Sequence, residues 1–591
     1  MLALLMVSVL SAQSGLNCPS YPASSRVAFI ERETRRLAEF SYASSHRLLG
    51  PLPKPAAANL NFIDDILFAA MDRDAVPASA ESTDAEFLRR VSLDLTGRIP
   101  DIGILKAFLL DASANKRQAA IEGLMTSERF SDYWTQYLLR TYQVSSDYYY
   151  LVGIPGRNAF YRYIKNQVVA RTAFDQFARD LISAKGDSHS SGPPNWTMRA
   201  IQPTDPIQDT WDELTNRTTS QFLGIQTQCI SCHDGRRRLD QINLFLSKKT
   251  RADFWRQSAF FSRLNIQQIP LDAYSYYRKG ILSDRLAGAY NGVLDDPNNP
   301  GPRPVRSGAV YTPVYLFSGE KPLTGNWRSE LARMITSDRQ FARATVNYLW
   351  AHFFRAGIVD PPDAFDLDRM DASNPELLEA LTTRFIESGY DLYAMIRVMV
   401  ESRAYQLSSL PAADWKPVMS RYFARQSVRR LSAEELFDAI ASATGTEPAM
   451  FVEGQSQILR SAHQLPDPTE PRQDGPILEL LRIFGRGDWV STPPSAKSNT
   501  IQALYFMNHD MVVSRTFGNV YFSGSNRVAR LLASGASDRE AIRELILATL
   551  GREPRDRDYE LSLAAKRLPR ELWLADLMWA YLNQLEFIFN H

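Results

Sequence analysis

Cysteine is scarce in this chain: three residues in 591 are too few for a disulfide scaffold. Neither sign of charge is in excess, because 67 Lys and Arg offset 66 Asp and Glu to leave a formal net charge of +1. A global field that would hold nucleic acid or an anionic membrane is therefore excluded. Beyond the first dozen residues no uncharged stretch approaches the roughly 18 residues of a transmembrane helix, so no membrane span is expected in the mature protein. Also missing are a Gly-x-Gly-x-x-Gly turn, a phosphate loop, a Gly-x-Ser-x-Gly elbow and a His-Glu-x-x-His helix. Nucleotide cofactors and the common hydrolase sites thus lack support.

What is present is enough apolar material, 45% of the residues, for two or more domains that each bury a core. Residues 2–12 form an apolar run followed by small residues. This resembles the end of a secretory signal, although no Lys or Arg precedes the run. Export to the periplasm or cell envelope is expected, with residues 1–14 as signal peptide and 15–57 as an N-terminal linker.

Helical signals follow quickly. Phe62, Ile63, Ile66, Leu67, Ala70 and Met71 recur at the spacing of one helix face. Thr83 with Glu86, and Ser432 with Glu435, have the form of capping boxes. Gly97 is expected to end one helix and Pro100 to sit in the first turn of the next. A similar corner returns at Gly551-Arg552-Glu553-Pro554. From about 284 to 326 the chain is rich in Gly, Pro and Asn, with one strand-like run at 310–317. These patterns predict a mainly α fold: two helical domains, 58–280 and 327–591, joined by a Gly/Pro-rich linker, 281–326, with minor β-structure. Within the second domain, 446–498 reads as a polar, Pro-rich insertion.

One chemical signal stands out. Cys229, Cys232 and His233 form Cys-x-x-Cys-His, in which two thiols can add to the two vinyl groups of a haem while the adjacent imidazole becomes the proximal iron ligand. Trp211, Leu214, Thr218, Phe222 and Ile225 share one face of a helix leading into this motif, and so give it a packed support. The same residues admit two other readings, a short-loop disulfide and a metal site. No second Cys pair or His-x3–5-His cluster supplies further metal ligands. A distal haem ligand would come from His189, Met198, His352, Met507, His463 or His509, none favoured by spacing. Arg236, Arg237 and Arg238 are candidate partners for haem propionates. Asp360, Asp363, Asp366, Asp368 and Asp371 crowd one loop as a calcium site would, but without the glycine and terminal Glu of an EF-hand.

Long stretches resemble known families. FLRRVSLDLTGRIPD, SERFSDYW and SQFLGIQTQCISCHD are similar to the cytochrome-C-like domain of unknown function 1549. FARATVNYLWAHFFRAGIVDPPDAFD, RRLSAEELFDAI, IQALYFMNHD and DLMWAYLNQLEFIFNH resemble its usual partner, domain of unknown function 1553. The resemblance implies an envelope protein described as cytochrome-like. In many relatives a second histidine follows the motif, where this chain has Gly235.

The reading that unites these features is an exported c-type cytochrome-like electron carrier or redox subunit. It would carry one covalent haem c on Cys229, Cys232 and His233, and an unidentified redox partner protein would complete it. A haem-free envelope scaffold or binding protein is the first alternative, and an enzyme acting on extracellular polymers is the second.

Overall fold

Helix ends form where local chemistry satisfies their orphan backbone groups. The computed structural model describes residues 59–591 apart from 147–148, 203–204, 272–277, 293–298, 300, 413–414, 491, 496, 498 and 518–525. The expected signal segment, the linker 15–57 and Cys18 lie outside the described residues.

The first apolar stripe forms the helix Phe62–Arg73, capped by Asn61 and burying Ile63, Leu67, Ala70 and Met71. Thr83 caps the helix Asp84–Thr96 by accepting from the Glu86 amide, but Glu86 does not complete a box. Its carboxylate is drawn to Arg90 at 2.7 Å and to the Ser409 amide at 2.8 Å. Gly97 ends that helix in the left-handed region (φ 66°). The next helix is Ile102–Leu110, entered through Asp101, so Pro100 lies ahead of its first turn. The Ser432–Glu435 box forms completely on the helix Ala433–Thr444.

The architecture is mainly α with minor β-structure. Strands β1 (Gly186–Asp187), β2 (Leu264–Pro270) and β3 (Arg278–Asp284) make an antiparallel sheet in the order β1-β3-β2, with Ile266 opposite Leu282. Of the strand expected at 310–317, only Val310–Tyr311 pairs, with Tyr290–Asn291. The 446–498 insertion holds a helix, Gly475–Ile483, and buried charges at Asp467, Glu470 and Arg486.

The chain divides into two compact units. Among the described residues, one comprises 173–352 and 356–392; the other comprises 59–172, 353–355 and 393–591. This division differs from the chain-order split at 281–326, since each unit draws on both sides of that segment. The reason is face pairing. In the first unit the helix Phe174–Ile182 packs on Trp327–Ser337, and Phe341 stacks on Phe174 with ring centroids 5.6 Å apart. In the second, Leu93 and Ile99 share one core with Phe437, Ile440, Leu545, Trp573 and Leu577.

The second unit also contains a buried charge cluster. Asp94 accepts from Tyr405 Oη at 2.9 Å, Arg429 Nη2 at 3.1 Å, Asn590 Nδ2 at 2.9 Å and Arg355. Arg429 also pairs with Glu435 at 2.7 Å. Burial by itself would raise the Glu435 carboxyl, but the Arg429 guanidinium overrides it and holds the pKa down at about 2.

Candidate functional site

The support helix expected before the motif is Ile207–Leu223, with Trp211, Leu214, Thr218 and Phe222 buried. It stops at Gly224 (φ 65°), where a Cβ would lie 2.9 Å from the Phe365 ring and 3.2 Å from the Pro362 carbonyl oxygen. Glycine is required there both by conformation and by space. Thr227 then ties the returning chain to the helix: its hydroxyl lies 2.8 Å from Thr219 Oγ1 and donates to Asn216 Oδ1 at 3.0 Å.

Cys229 and Cys232 lie on the single helical turn Gln228–Cys232. Neither is in a disulfide. Cys229 is 5% exposed and Cys232 half-buried. His233 follows in extended conformation, its amide donating to the Cys229 carbonyl at 3.3 Å. His233 Nδ1 lies 3.0 Å from the Asp234 carbonyl oxygen. A carbonyl only accepts, so Nδ1 carries the proton and the neutral ring keeps its lone pair on Nε2, the tautomer suited to a metal ligand.

Arginines hold the outer side of the turn. Arg251 donates to the Ser231 carbonyl at 3.3 Å, to the Val305 carbonyl at 2.9 Å and to the Pro304 carbonyl at 2.8 Å. Arg303 reaches Ser231 Oγ at 3.4 Å and Asp209 at 2.7 Å. Arg306 bridges Asp209 at 2.7 Å, Asp212 at 3.0 Å and the Tyr290 hydroxyl at 2.8 Å. Both aspartates are fully buried. Burial pushes the Asp212 carboxyl above the usual range, against the pull of Arg303 and Arg306. Part of the expected Gly/Pro-rich linker is thus bolted beside the motif. Arg303 and Arg306, two ordinary arginines in a Pro-rich run, carried no sequence signal for this role. Arg236, Arg237 and Arg238 are exposed on a turn.

Three of the five carboxylates of the aspartate-rich loop bind the chain on either side of the motif. Asp366 accepts the Leu244 amide at 2.6 Å and the Phe245 amide at 3.1 Å. Asp363 accepts from the Gln226 side chain, and Asp368 pairs with Lys248 at 3.1 Å. No group of three or more His, Cys, Asp or Glu side chains that could hold a metal ion occurs among the described residues. The calcium reading of this loop and the multi-ligand metal reading of the motif therefore have no geometric support there.

Gly235 stands where the family resemblance places a second histidine. Its amide donates to the Lys249 carbonyl at 2.9 Å, and a Cβ would lie 2.0 Å from the Leu246 carbonyl oxygen. This backbone excludes any side chain at that position.

The distal-ligand candidates are distributed over both units. Met198 is buried against Gly280, where a Cβ would fall 2.1 Å from the Met198 methyl. His189 follows β1, its amide donating to Asp187 at 2.8 Å, and His352 sits near the end of the helix Arg339–Phe354. His463, Met507 and His509 belong to the second unit. There His463 Nδ1 donates to Asp438 at 2.9 Å. His509 stacks on Tyr505 at 3.9 Å between centroids, and the Met507 carbonyl accepts from Trp579.

Fold and site together define a mainly helical protein of two compact units, one of which carries a Cys-x-x-Cys-His turn. No helix among the described residues is long and apolar enough to cross a membrane. The family described as "Protein of unknown function (DUF1549)" matches residues 62–265, and that described as "Protein of unknown function (DUF1553)" matches 327–565. The two matches follow one another along the chain in this order. No curated protein and no solved structure matches it.

Proposed function

We propose that this is an exported redox protein that carries one c-type haem on Cys229 and Cys232, with His233 as the axial ligand. The observation that carries the reading is the arrangement of donors. Two thiols that are not joined in a disulfide share one helical turn, and the adjoining imidazole has Nδ1 tied to a carbonyl, which leaves Nε2 with its lone pair. That donor set fits the group. When bound, haem would supply one-electron transfer.

The chain's own residues hold and screen the site. Thr227 fixes the start of the turn, Arg251 and Arg303 fix its outer side, and the Asp234 carbonyl sets the imidazole tautomer. With Cys229 buried, the thioether bonds would have to form before this unit closes. An unidentified redox protein would give or take the electron, in the periplasm or cell envelope.

A second reading is a haem-free envelope scaffold in which the cysteine turn is a structural knot. It is favoured by the burial of Cys229 and by the commitment of Ser231 to Arg251 and Arg303.

The test is export of the full chain in a host with a haem-maturation system, followed by denaturation and a pyridine haemochrome spectrum. One haem per chain is expected, and none in the Cys229→Ser, Cys232→Ser double variant. A colourless wild-type protein with both thiols titratable after denaturation would overturn the haem reading in favour of the scaffold.

A further inference from the structure

The boundaries of the two family matches fall at 62–265 and 327–565, yet the compact unit that holds the motif is the nearly continuous stretch 173–392. Only Phe353–Arg355 group with the other unit. The ends of this stretch meet: the Phe174 amide donates to the Tyr390 carbonyl at 3.0 Å, and Tyr390 packs against Phe341 and Phe385 at 5.8 and 5.4 Å between centroids. Chain ends that lie side by side on a self-contained core are what lets a domain be inserted within another without disturbing it.

Inside this stretch, residues from both family matches build one core and one site. Arg179 donates to Thr336 Oγ1 at 2.8 Å, Gln340 to the Leu223 carbonyl at 2.8 Å, and the Tyr348 hydroxyl to the Ser220 carbonyl at 2.7 Å. The motif loop is held in the same way. The Phe365 amide donates to the Gly224 carbonyl at 3.0 Å, and Asn243 Nδ2 donates to the Phe365 carbonyl at 2.9 Å. Asp366, itself buried, takes the amides of Leu244 and Phe245. The segment so fixed includes the Leu246 carbonyl that lies against Gly235, two residues from His233.

We propose that residues 173–392 are an inserted module spanning the junction of the two family domains, and that the acidic loop 360–371 clamps the Cys229–His233 turn with Asp366 as its positioning residue. The first family domain alone lacks this clamp. The module and clamp hold with or without haem on the turn.

Native-state hydrogen exchange, read by mass spectrometry on the full chain, tests both parts. Phe341→Ala, which opens the shared core, is expected to lower protection across 174–258 and 327–387 together while 62–170 and 429–587 keep theirs. Asp366→Ala removes the two charge-assisted bonds to Leu244 and Phe245 and is expected to speed exchange in 226–249 roughly tenfold or more, leaving the second unit unchanged. A role in overall stability alone would instead raise exchange throughout. If Asp366→Ala does not fold, Asp366→Asn, which keeps one acceptor oxygen, is expected to give a smaller acceleration confined to the same segment. The proposal fails if protection in Phe341→Ala is lost by family match, with 62–265 separating from 327–565, or across the whole chain. It fails equally if exchange in 226–249 is unmoved by substitution of Asp366.

Discussion

Gly235 shows how one residue can set what a site is able to hold. Its Cα faces the Leu246 carbonyl so closely that a Cβ would come within 2.0 Å of the oxygen, far inside contact distance. Gly235→His is expected to lose roughly 1–3 kcal/mol of stability through the forced backbone shift, read by chemical unfolding. Unchanged stability would mean that the 244–247 segment yields easily. Arg306 makes the opposite kind of contribution. With Arg303 it neutralises two aspartates that are out of water, so Arg306→Ala leaves one buried carboxylate charge uncompensated and should cost about 3–5 kcal/mol; a near-neutral result in thermal melting would show that water reaches Asp209 and Asp212. Glu435 sets a pH dependence. Its folded pKa, about 2, lies below the ordinary 4.5. The stabilisation is therefore complete above pH 4.5 and is lost as pH falls from there through about 2, a contribution of roughly 3 kcal/mol. Glu435→Gln is expected to flatten the unfolding free energy over that window, whereas an unaltered acid limb would assign it to other carboxylates.

At the scale of elements, caps and stops were readable because they are local chemistry. Thr83, Ser432, Gly97 and Gly551 do in space what their types and spacing predict. Ser432→Ala removes the hydroxyl that accepts the Glu435 amide and should cost about 1 kcal/mol, measured as a shift in the urea midpoint. Failure to shift would imply that water replaces the cap. Where local reading misled, a longer-range partner had a stronger claim on the side chain. Glu86 leaves its box for Arg90 and the 408–409 segment. The strand expected at 310–317 shrinks to two residues because only Val310 and Tyr311 meet a neighbouring strand. In the run of aspartates at 360–371, which suggested calcium, Asp366, Asp363 and Asp368 are taken by backbone amides, a glutamine and a lysine.

At the scale of the whole molecule, division by family and division by packing disagree. The core of the second unit needs Leu93 and Ile99 as well as residues beyond 430. Arg90, 3% exposed, donates to the Tyr405 and Leu407 carbonyls at 2.9 and 2.8 Å. A fragment 327–591 made alone is therefore expected to show no cooperative unfolding transition by circular dichroism, because it lacks those partners; a sharp transition would mean that its helices form a sufficient core without them.

Taken by itself, the amino-acid sequence determined the mainly helical class, many of the helix ends and the Cys229, Cys232 and His233 constellation. Each of these rests on residues within a few positions of one another, whose chemistry acts along the chain. The tertiary structure alone decided which helices share a core, that Arg251, Arg303 and Asp366 frame the turn, and that Gly235 can carry no side chain. Those outcomes depend on contacts between residues about 10 to more than 120 positions apart, where closing the chain brings together groups whose spacing carries no periodic signal.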